Sequence, residues 1–261
     1  SPPITKASHD ADKETFKIEF IPSSVGGAAR SLIYEFADIV VLLSGTWYGK
    51  EVSCREIGID PAMCNYITID SDFPAEKRLT YLPTDATLDM SHKSWEQNLP
   101  RLAKQIRTIM DNHKGQKGLC HVNSYNKAWQ LAKEIKSSRV IVHVSDDFHE
   151  KFKEFCNSKD GVLVTPSCVE GVDLKDDLCR FNILTTLPYP SAAEGWYQRL
   201  LAKAGWNVYN VHTMRQVGQA LGRGVRHNKD FCTNYLMDSR FTAFLRKMSS
   251  VLPKWFLEAL R

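Results

Sequence analysis

No apolar run in this 261-residue sequence approaches the roughly 18 to 20 residues that a membrane-crossing helix needs, and its N-terminus lacks the charged-then-apolar order of a secretory leader. The expectation is an intracellular chain with no membrane contact. Closely spaced cysteines are missing too. Cys54, Cys64, Cys120, Cys156, Cys168, Cys179 and Cys232 stand singly, with no C-x-x-C pair, which argues against a zinc or iron–sulfur site. Their odd number argues against a fully paired disulfide framework. Cys120, Cys179 and Cys232 lie in or beside apolar runs and read as buried reduced thiols. The histidines, His121, His143, His212 and His227 among them, lack metal-ligand spacing and take no catalytic role. Internal repeats and low-complexity tracts are absent. Acidic residues become scarce toward the end. From Gly195 to Arg261 only Asp230, Asp238 and Glu258 face Arg199, Lys203, Arg215, Arg223, Arg226, Lys229, Arg240, Arg246, Lys247, Lys254 and Arg261. The net charge of +4 is too small to establish an anionic partner, so this uneven distribution is the informative part, although a plain solvated surface would read the same way.

What is present is a chain of 43% hydrophobic composition, long enough for one substantial core or two modest ones. Residues 1–15 have no periodicity and read as a flexible segment or linker. Phe16 to Ile21 alternates as a half-buried strand, and Ala28 to Phe36 is helix-like. Ile39-Val40-Val41-Leu42-Leu43 is a continuous apolar run suited to a strand buried on both faces. The loop-rich stretch from Gly49 to Trp95 marks a junction, so the expected segments are 1–15, 16–66 and 67–261. From residue 98 onward, strands are expected at 118–122, 140–144, 162–164, 181–185 and 233–237. Helices are expected at 102–110, 125–135, 148–155, 192–204 and 213–226, with a helical end. Trp129, on the second of these helices, reads as core. Short apolar strands separated by amphipathic helices predict an α/β fold, a parallel sheet flanked by helices, whose ligands collect beyond the carboxyl ends of the strands. Ser44 to Thr46, Ser124, and Ser167 to Asp173 all follow strand ends.

One stretch stands out chemically. If 213–226 is a helix, Gln219, Arg223 and Arg226 stand at i, i+4 and i+7 and place a carboxamide and two guanidinium groups on one face, while Val217, Leu221 and Val225 form an apolar stripe. Gly222 and Gly224 each cost a helix roughly 1 kcal/mol relative to Ala, so a close approach to another backbone or a phosphate outweighs helix strength there. Arginine stays charged and matches phosphate oxygens in a bidentate manner. Such groups are expected near the edge where the sheet's strands terminate, facing a second wall from another polypeptide segment.

The order of these elements resembles motifs III to VI of superfamily two helicases, and more narrowly their DinG and XPD (Rad3-like) branch. The matching residues are Leu43-Ser44-Gly45-Thr46, Ser124-Tyr125, Ser167 through Asp173 with its Glu170-Gly171-Val172-Asp173, Gln219 through Arg226, and Asp238-Ser239-Arg240-Phe241. Asp72 to Arg78 is similar to a linking segment of DinG-like members. The resemblance implies the second RecA-like lobe, the C-terminal half of an ATP-dependent DNA helicase, cytoplasmic or nucleoid-associated. It implies that Arg223 and Arg226 reach across the cleft to the γ-phosphoryl group and that Gln219 positions water or triphosphate. Glu170, Gly171, Asp173 and Gly222 would line the nucleotide, with Asp173 on an arginine or ribose hydroxyl. Ser44, Thr46, Ser124 and Ser167 would grip single-stranded DNA, and Trp47 and Tyr48 would stack a base or simply pack. Alternatively, either arginine pairs with Asp173 or Asp238 inside the lobe, and the serines are local caps.

The implied partners are ATP, single-stranded or forked DNA and an N-terminal helicase lobe. Departures matter as well. There is no G-x-x-x-x-G-K-[ST] and no D-E-A-H, so ATP and Mg would be bound mainly by the absent lobe and this chain alone is expected to be inactive. No iron–sulfur cluster is expected here. Trp47 stands where the family often has Leu, Val122-Asn123 precede Ser124 in place of an aromatic, and Gly224 replaces a common Ala. Two other classes stay open: a non-catalytic nucleic-acid-binding or partner-docking module, and a glycosyltransferase-like lobe for sugar nucleotides.

Overall fold

The computed structural model describes residues 4–10, 15–21, 25–166, 174–190, 197–198, 201–202 and 205–261. The chain divides into two compact units. One comprises residues 1–68 and 189–215, the other 69–188 and 216–261.

In the first unit, β1 (Ile4–Asp10) pairs antiparallel with β2 (Thr15–Ile21), in register from Ile4 opposite Ile21 to Asp10 opposite Thr15. The flexible segment expected over 1–15 therefore contains a strand. Its mix of Lys6, His9 and Asp10 with few apolar residues shows no pattern alone, and the ladder with β2 supplies the order. β2 keeps the expected alternation but not the expected half-burial, because Phe16, Ile18 and Phe20 are exposed. Helix α1 (Gly26–Leu32) and a short 3₁₀ turn Tyr34–Phe36 follow. The run Ile39 to Leu43 is not a strand. It is irregular and exposed, Ile39 at 82% and Leu43 at 87%. A strand exists only through pairing, and no described strand pairs with this run. Helix α2 (Lys50–Glu56) leads into a 3₁₀ turn Pro61–Met63, whose Asp60 carboxylate accepts the Ala62 N–H at 3.0 Å.

The second unit is built on a six-stranded, all-parallel sheet. Its strands are β3 (Thr80–Tyr81), β4 (Gly118–His121), β5 (Val140–Val142), β6 (Val162–Thr165), β7 (Phe181–Leu184) and β8 (Thr233–Leu236), in the order β3-β8-β7-β4-β6-β5. The two-residue β3 carries too little pattern to be foreseen. Its edge is closed by the last residues of the chain, where the Thr80 N–H donates to the Ala259 carbonyl and the Arg261 N–H to that of Thr80, each near 2.9 Å. Successive strand residues point to opposite faces. Cys120, Val162, Val164, Phe181 and Ile183 join the core under α3 (Trp95–Asn112) and α4 (Tyr125–Ile135), which add Leu102, Ile106, Leu131 and Ile135. Leu119, Ile141, Leu163, Phe155, Cys179, Val225 and Cys232 make the core of the other face. Phe155 comes from α5 (Phe148–Asn157). Trp129 is 45% exposed and not core, since its side of α4 faces away from the sheet. The central strands β4, β6 and β7 are short and buried on both faces, as a parallel sheet requires.

Helix α6 runs from Trp206 to Leu221, longer at its start and shorter at its end than the expected 213–226. Gln216 opens its part within the second unit. Helices α7 (Arg240–Met248) and α8 (Lys254–Glu258) complete the chain. No described helix is long and apolar enough to cross a membrane.

Candidate functional site

The end of α6 decides how the Gln219, Arg223 and Arg226 groups are presented. The helix stops at Leu221, residues 222–224 turn and bend and 225–226 are irregular, so the three side chains do not share a helical face as expected. The cause is local and tertiary. A Cβ on Gly224 would collide with the Cys232 side chain and come 3.1 Å from the Cys179 carbonyl oxygen, so the backbone is pressed against the segments entering β7 and β8. Val225 is still buried there, while Gln219, Gly222 and Arg226 are exposed and Arg223 is half-buried.

This turn lies at the amino ends of β7 and β8, not at the carboxyl edge expected of it. Asn182, the second residue of β7, donates to the Ala220 carbonyl at 2.8 Å, and the 222–232 segment leads directly into β8. In a right-handed crossover the helix runs antiparallel to the strands, so its last turn returns to the edge where the next strand begins.

A buried carboxylate organises the same end. Asp230, 1% exposed, accepts the N–H groups of Phe231 at 2.9 Å, Arg226 at 3.2 Å and Asp176 at 3.3 Å, and the Arg180 guanidinium at 2.6 Å. Burial disfavours the Arg180 charge, yet the hydrogen bonds it donates to Asp177 and Asp230 outweigh this and hold the guanidinium above its ordinary range. Asp176 and His227 are joined at 2.8 Å, and this bond, with the neighbouring positive charges of Arg180 and Lys175, holds the exposed Asp176 carboxyl below the usual range. Asp176, His227 and Asp230 offer ligand atoms within 4.8 Å of one another, but the Asp230 oxygens are already engaged by Arg180 and backbone N–H groups. These residues were missed in sequence because they lie about 50 positions apart and make no motif.

The carboxyl edge is built differently. Ser124 caps α4, its hydroxyl accepting the Lys127 N–H at 3.3 Å, so the local cap reading holds for it. Asp238, fully buried, is neutralised by Arg240 at 2.5 Å and accepts the Thr186 hydroxyl at 3.2 Å, while Phe241 is core. This acid, named above as a partner for Arg223 or Arg226, is thus engaged by Arg240. Arg240 also reaches Asp89 at 3.3 Å. Burial works against the Asp89 charge, but the Ser91 and Ser94 donors and Arg240 keep its carboxyl below the usual range. Nearby, the Lys127 ammonium lies 4.4 Å from the Trp95 ring centroid, and burial lowers its pKa, with Arg240 adding to the effect.

Ser44 and Thr46 belong to the first unit, where the Ser44 hydroxyl accepts the Thr46 N–H at 3.2 Å in an exposed turn. Tyr48 is buried at 3% exposure, so it packs and does not stack a base. Ser167, Glu170, Gly171, Asp173 and Cys168 lie outside the described residues. Cys120, Cys179 and Cys232 are buried free thiols. His212, given no role from sequence, joins Glu56, which also takes Arg215 at 2.6 Å. Arg215 in turn donates to Ser53 at 2.8 Å. Burial disfavours the Glu56 charge, but His212 and Arg215 outweigh it and lower its pKa.

With this geometry in view, the helicase C-terminal domain family matches residues 106–259. The chain belongs to that family. Among curated relatives, the ATP-dependent DNA helicase chl-1 of Caenorhabditis elegans is 23% identical over 77% of this chain and 26% of its own length. The ATP-dependent DNA helicase CHL1 of Candida albicans is 30% identical over 35% of this chain and 13% of its own. The Fanconi anemia group J protein homolog of Gallus gallus is 28% identical over 44% and 11%. An apo XPD structure superposes with a TM-score of 0.69 at 19% identity, covering 92% of this chain and 52% of that one. The structure of S. tokodaii Xpd4 does so with 0.61 at 16%, covering 95% and 49%. The parallel sheet has the RecA-like α/β fold of these XPD structures. The chain spans about a quarter or less of these curated relatives.

Proposed function

We propose that this chain is the second RecA-like lobe of an ATP-dependent DNA helicase and that it works at both ends of its sheet. The observation that carries this is the break in α6 at Leu221. It leaves Gln219 and Arg226 exposed and Arg223 half-buried on a turn that Gly224 and Asp230 hold against the sheet. Guanidinium groups on a braced turn need little reorganisation when they meet a triphosphate. Arg223 and Arg226 then neutralise charge developing on the γ-phosphoryl group, and Gln219 orients the attacking water. Glu170, Gly171, Asp173 and Gly222 contribute to the nucleotide side. The first lobe supplies the phosphate cradle and the Mg site, so this chain alone turns over no ATP. Ser44, Thr46, Ser124 and Ser167 supply contacts to single-stranded DNA, which carry little sequence information and weaken steeply with salt. Membership in the helicase family favours this over a sugar-nucleotide lobe.

The test is Arg223→Ala in the intact protein, assayed for DNA-stimulated ATP hydrolysis and for DNA binding. The expected result is a fall in kcat of about 10³-fold, within the range for arginines that complete a nucleotide site, with a much smaller change in DNA affinity. Unchanged kcat would remove the transfer role. An intact protein with no ATPase at all, yet normal DNA binding, would favour the non-catalytic binding module.

A further inference from the structure

We infer that Cys54 and Cys64 form a peroxide-responsive dithiol that closes to a disulfide, a modification site separate from the nucleotide and DNA contacts. Their Sγ atoms lie 3.2 Å apart across ten positions of sequence. A disulfide brings sulfurs to about 2.05 Å, so closure asks for roughly 1 Å of side-chain movement. The surrounding backbone is already folded for it. Cys54 sits on α2, and its carbonyl accepts the Ile59 N–H at 2.9 Å. Cys64 directly follows the turn in which the Met63 N–H donates to the Asp60 carbonyl at 2.9 Å.

The two thiols differ in a way that assigns their roles. Cys64 is partly exposed, whereas Cys54 is buried at 4% exposure. Burial, with the Cys64 hydrogen bond adding to it, pushes the Cys54 thiol up to about 11, so it is a poor first nucleophile. The Cys64 thiolate attacks a peroxide, forming an S–O bond as the O–O bond breaks and hydroxide leaves, which gives a sulfenic acid. The Cys54 sulfur then attacks the Cys64 sulfur, and the S–S bond forms as the S–O bond breaks. The departing hydroxyl leaves with the thiol proton as water, so the two electrons come from the thiol pair and reduce the peroxide.

A second pair supplies an internal comparison. Cys179 and Cys232 lie with sulfurs 3.8 Å apart, but both are at most 1% exposed, in the core of the second unit. Proximity without access predicts that this pair stays reduced in the folded protein. The consequence of closing Cys54 to Cys64 is local. The bond pins α2, whose Ser53 and Glu56 hold Arg215 and His212 of α6.

The experiment treats the intact protein with hydrogen peroxide, alkylates remaining thiols under native conditions and maps peptides without reduction. The expected product is one linked pair joining Cys54 to Cys64, reversed by dithiothreitol, with Cys179 and Cys232 unlinked. In Cys54→Ser, Cys64 should be trapped by dimedone as a sulfenic acid; in Cys64→Ser, Cys54 should remain a thiol. Wild-type protein in which Cys64 proceeds to sulfinic acid while Cys54 stays a thiol would overturn the inference. So would linkage of Cys179 to Cys232 ahead of the proposed pair.

Discussion

At the amino ends of β7 and β8 the buried carboxylate of Asp230 gathers three backbone N–H groups and the Arg180 guanidinium. At the carboxyl end the buried carboxylate of Asp238 is closed chiefly by Arg240, two residues along the same chain. Both anions are satisfied, but the first ties together segments about 50 residues apart whereas the second mainly fixes the entry to α7. One end therefore holds its turn through an ion pair between residues 50 apart, and the other chiefly through a pair two residues apart, to which Thr186 and Asp89 add. In the proposed function this matches the tasks: rigid charge toward a phosphoryl group at one end, forgiving contacts to a DNA backbone at the other.

Asp230→Ala tests the comparison most severely. It leaves the Arg180 guanidinium, whose side chain is 11% exposed, without its buried counter-ion and removes the acceptor for the Arg226 N–H. Breaking such a pair costs about 3–5 kcal/mol. The expected outcome is a lower urea midpoint at unchanged slope, with loss of ATPase even where the protein remains folded. A variant as stable as the parent would mean that the amino-end turn does not depend on this carboxylate.

A milder probe acts at the opposite end. Ser124→Ala removes a helix cap and should cost about 1 kcal/mol, near the middle of the range for such changes. If Ser124 also touches DNA, affinity should fall modestly with kcat at saturating DNA preserved. Equal affinity for DNA would confine Ser124 to capping, and Ser124→Thr, which keeps the hydroxyl, should restore whatever is lost.

The parallel sheet was legible because strands buried on both faces, such as Val162-Leu163-Val164, can hardly be read otherwise, and α4 was foreseen over 125–135 as observed. Three features were not, each because a distant partner decides them. The apolar run Ile39 to Leu43 has a strand's composition but finds no strand to pair with among the described residues. The end of α6 depends on Cys232 and Cys179 meeting Gly224, which the spacing of Gln219, Arg223 and Arg226 could not reveal. Asp230 and Arg180, 50 residues apart, belong to no motif and become visible only once β7 and β8 lie side by side. The presentation of the described motif residues is thus set by contacts that a linear pattern does not contain.

The smallest expected effect sharpens the amino-end picture through pH. His113 stacks on Phe181 with ring centroids 4.5 Å apart, and its Nε2 lies 2.9 Å from the Tyr235 hydroxyl. Burial lowers its pKa below 6.5, partly offset by Gln116 and reinforced by Arg139. Because the folded state releases this proton at lower pH than the unfolded chain does, the unfolded state binds more protons in the window between the two values, and stability rises with pH there. His113 thus contributes fully above its unfolded value of 6.5, and its contribution is lost as pH falls through the folded value. The lowered carboxyls of Asp89 and Glu56 act in the same direction only from near 4 downward, so they do not obscure this window. His113→Gln removes the titration while keeping a group able to hydrogen-bond Tyr235. Urea midpoints measured from pH 7.5 down to about 5 should then fall less steeply in the variant than in the parent. Parallel curves would show that the packing of His113 on β7 and β8 does not discriminate between its two protonation states.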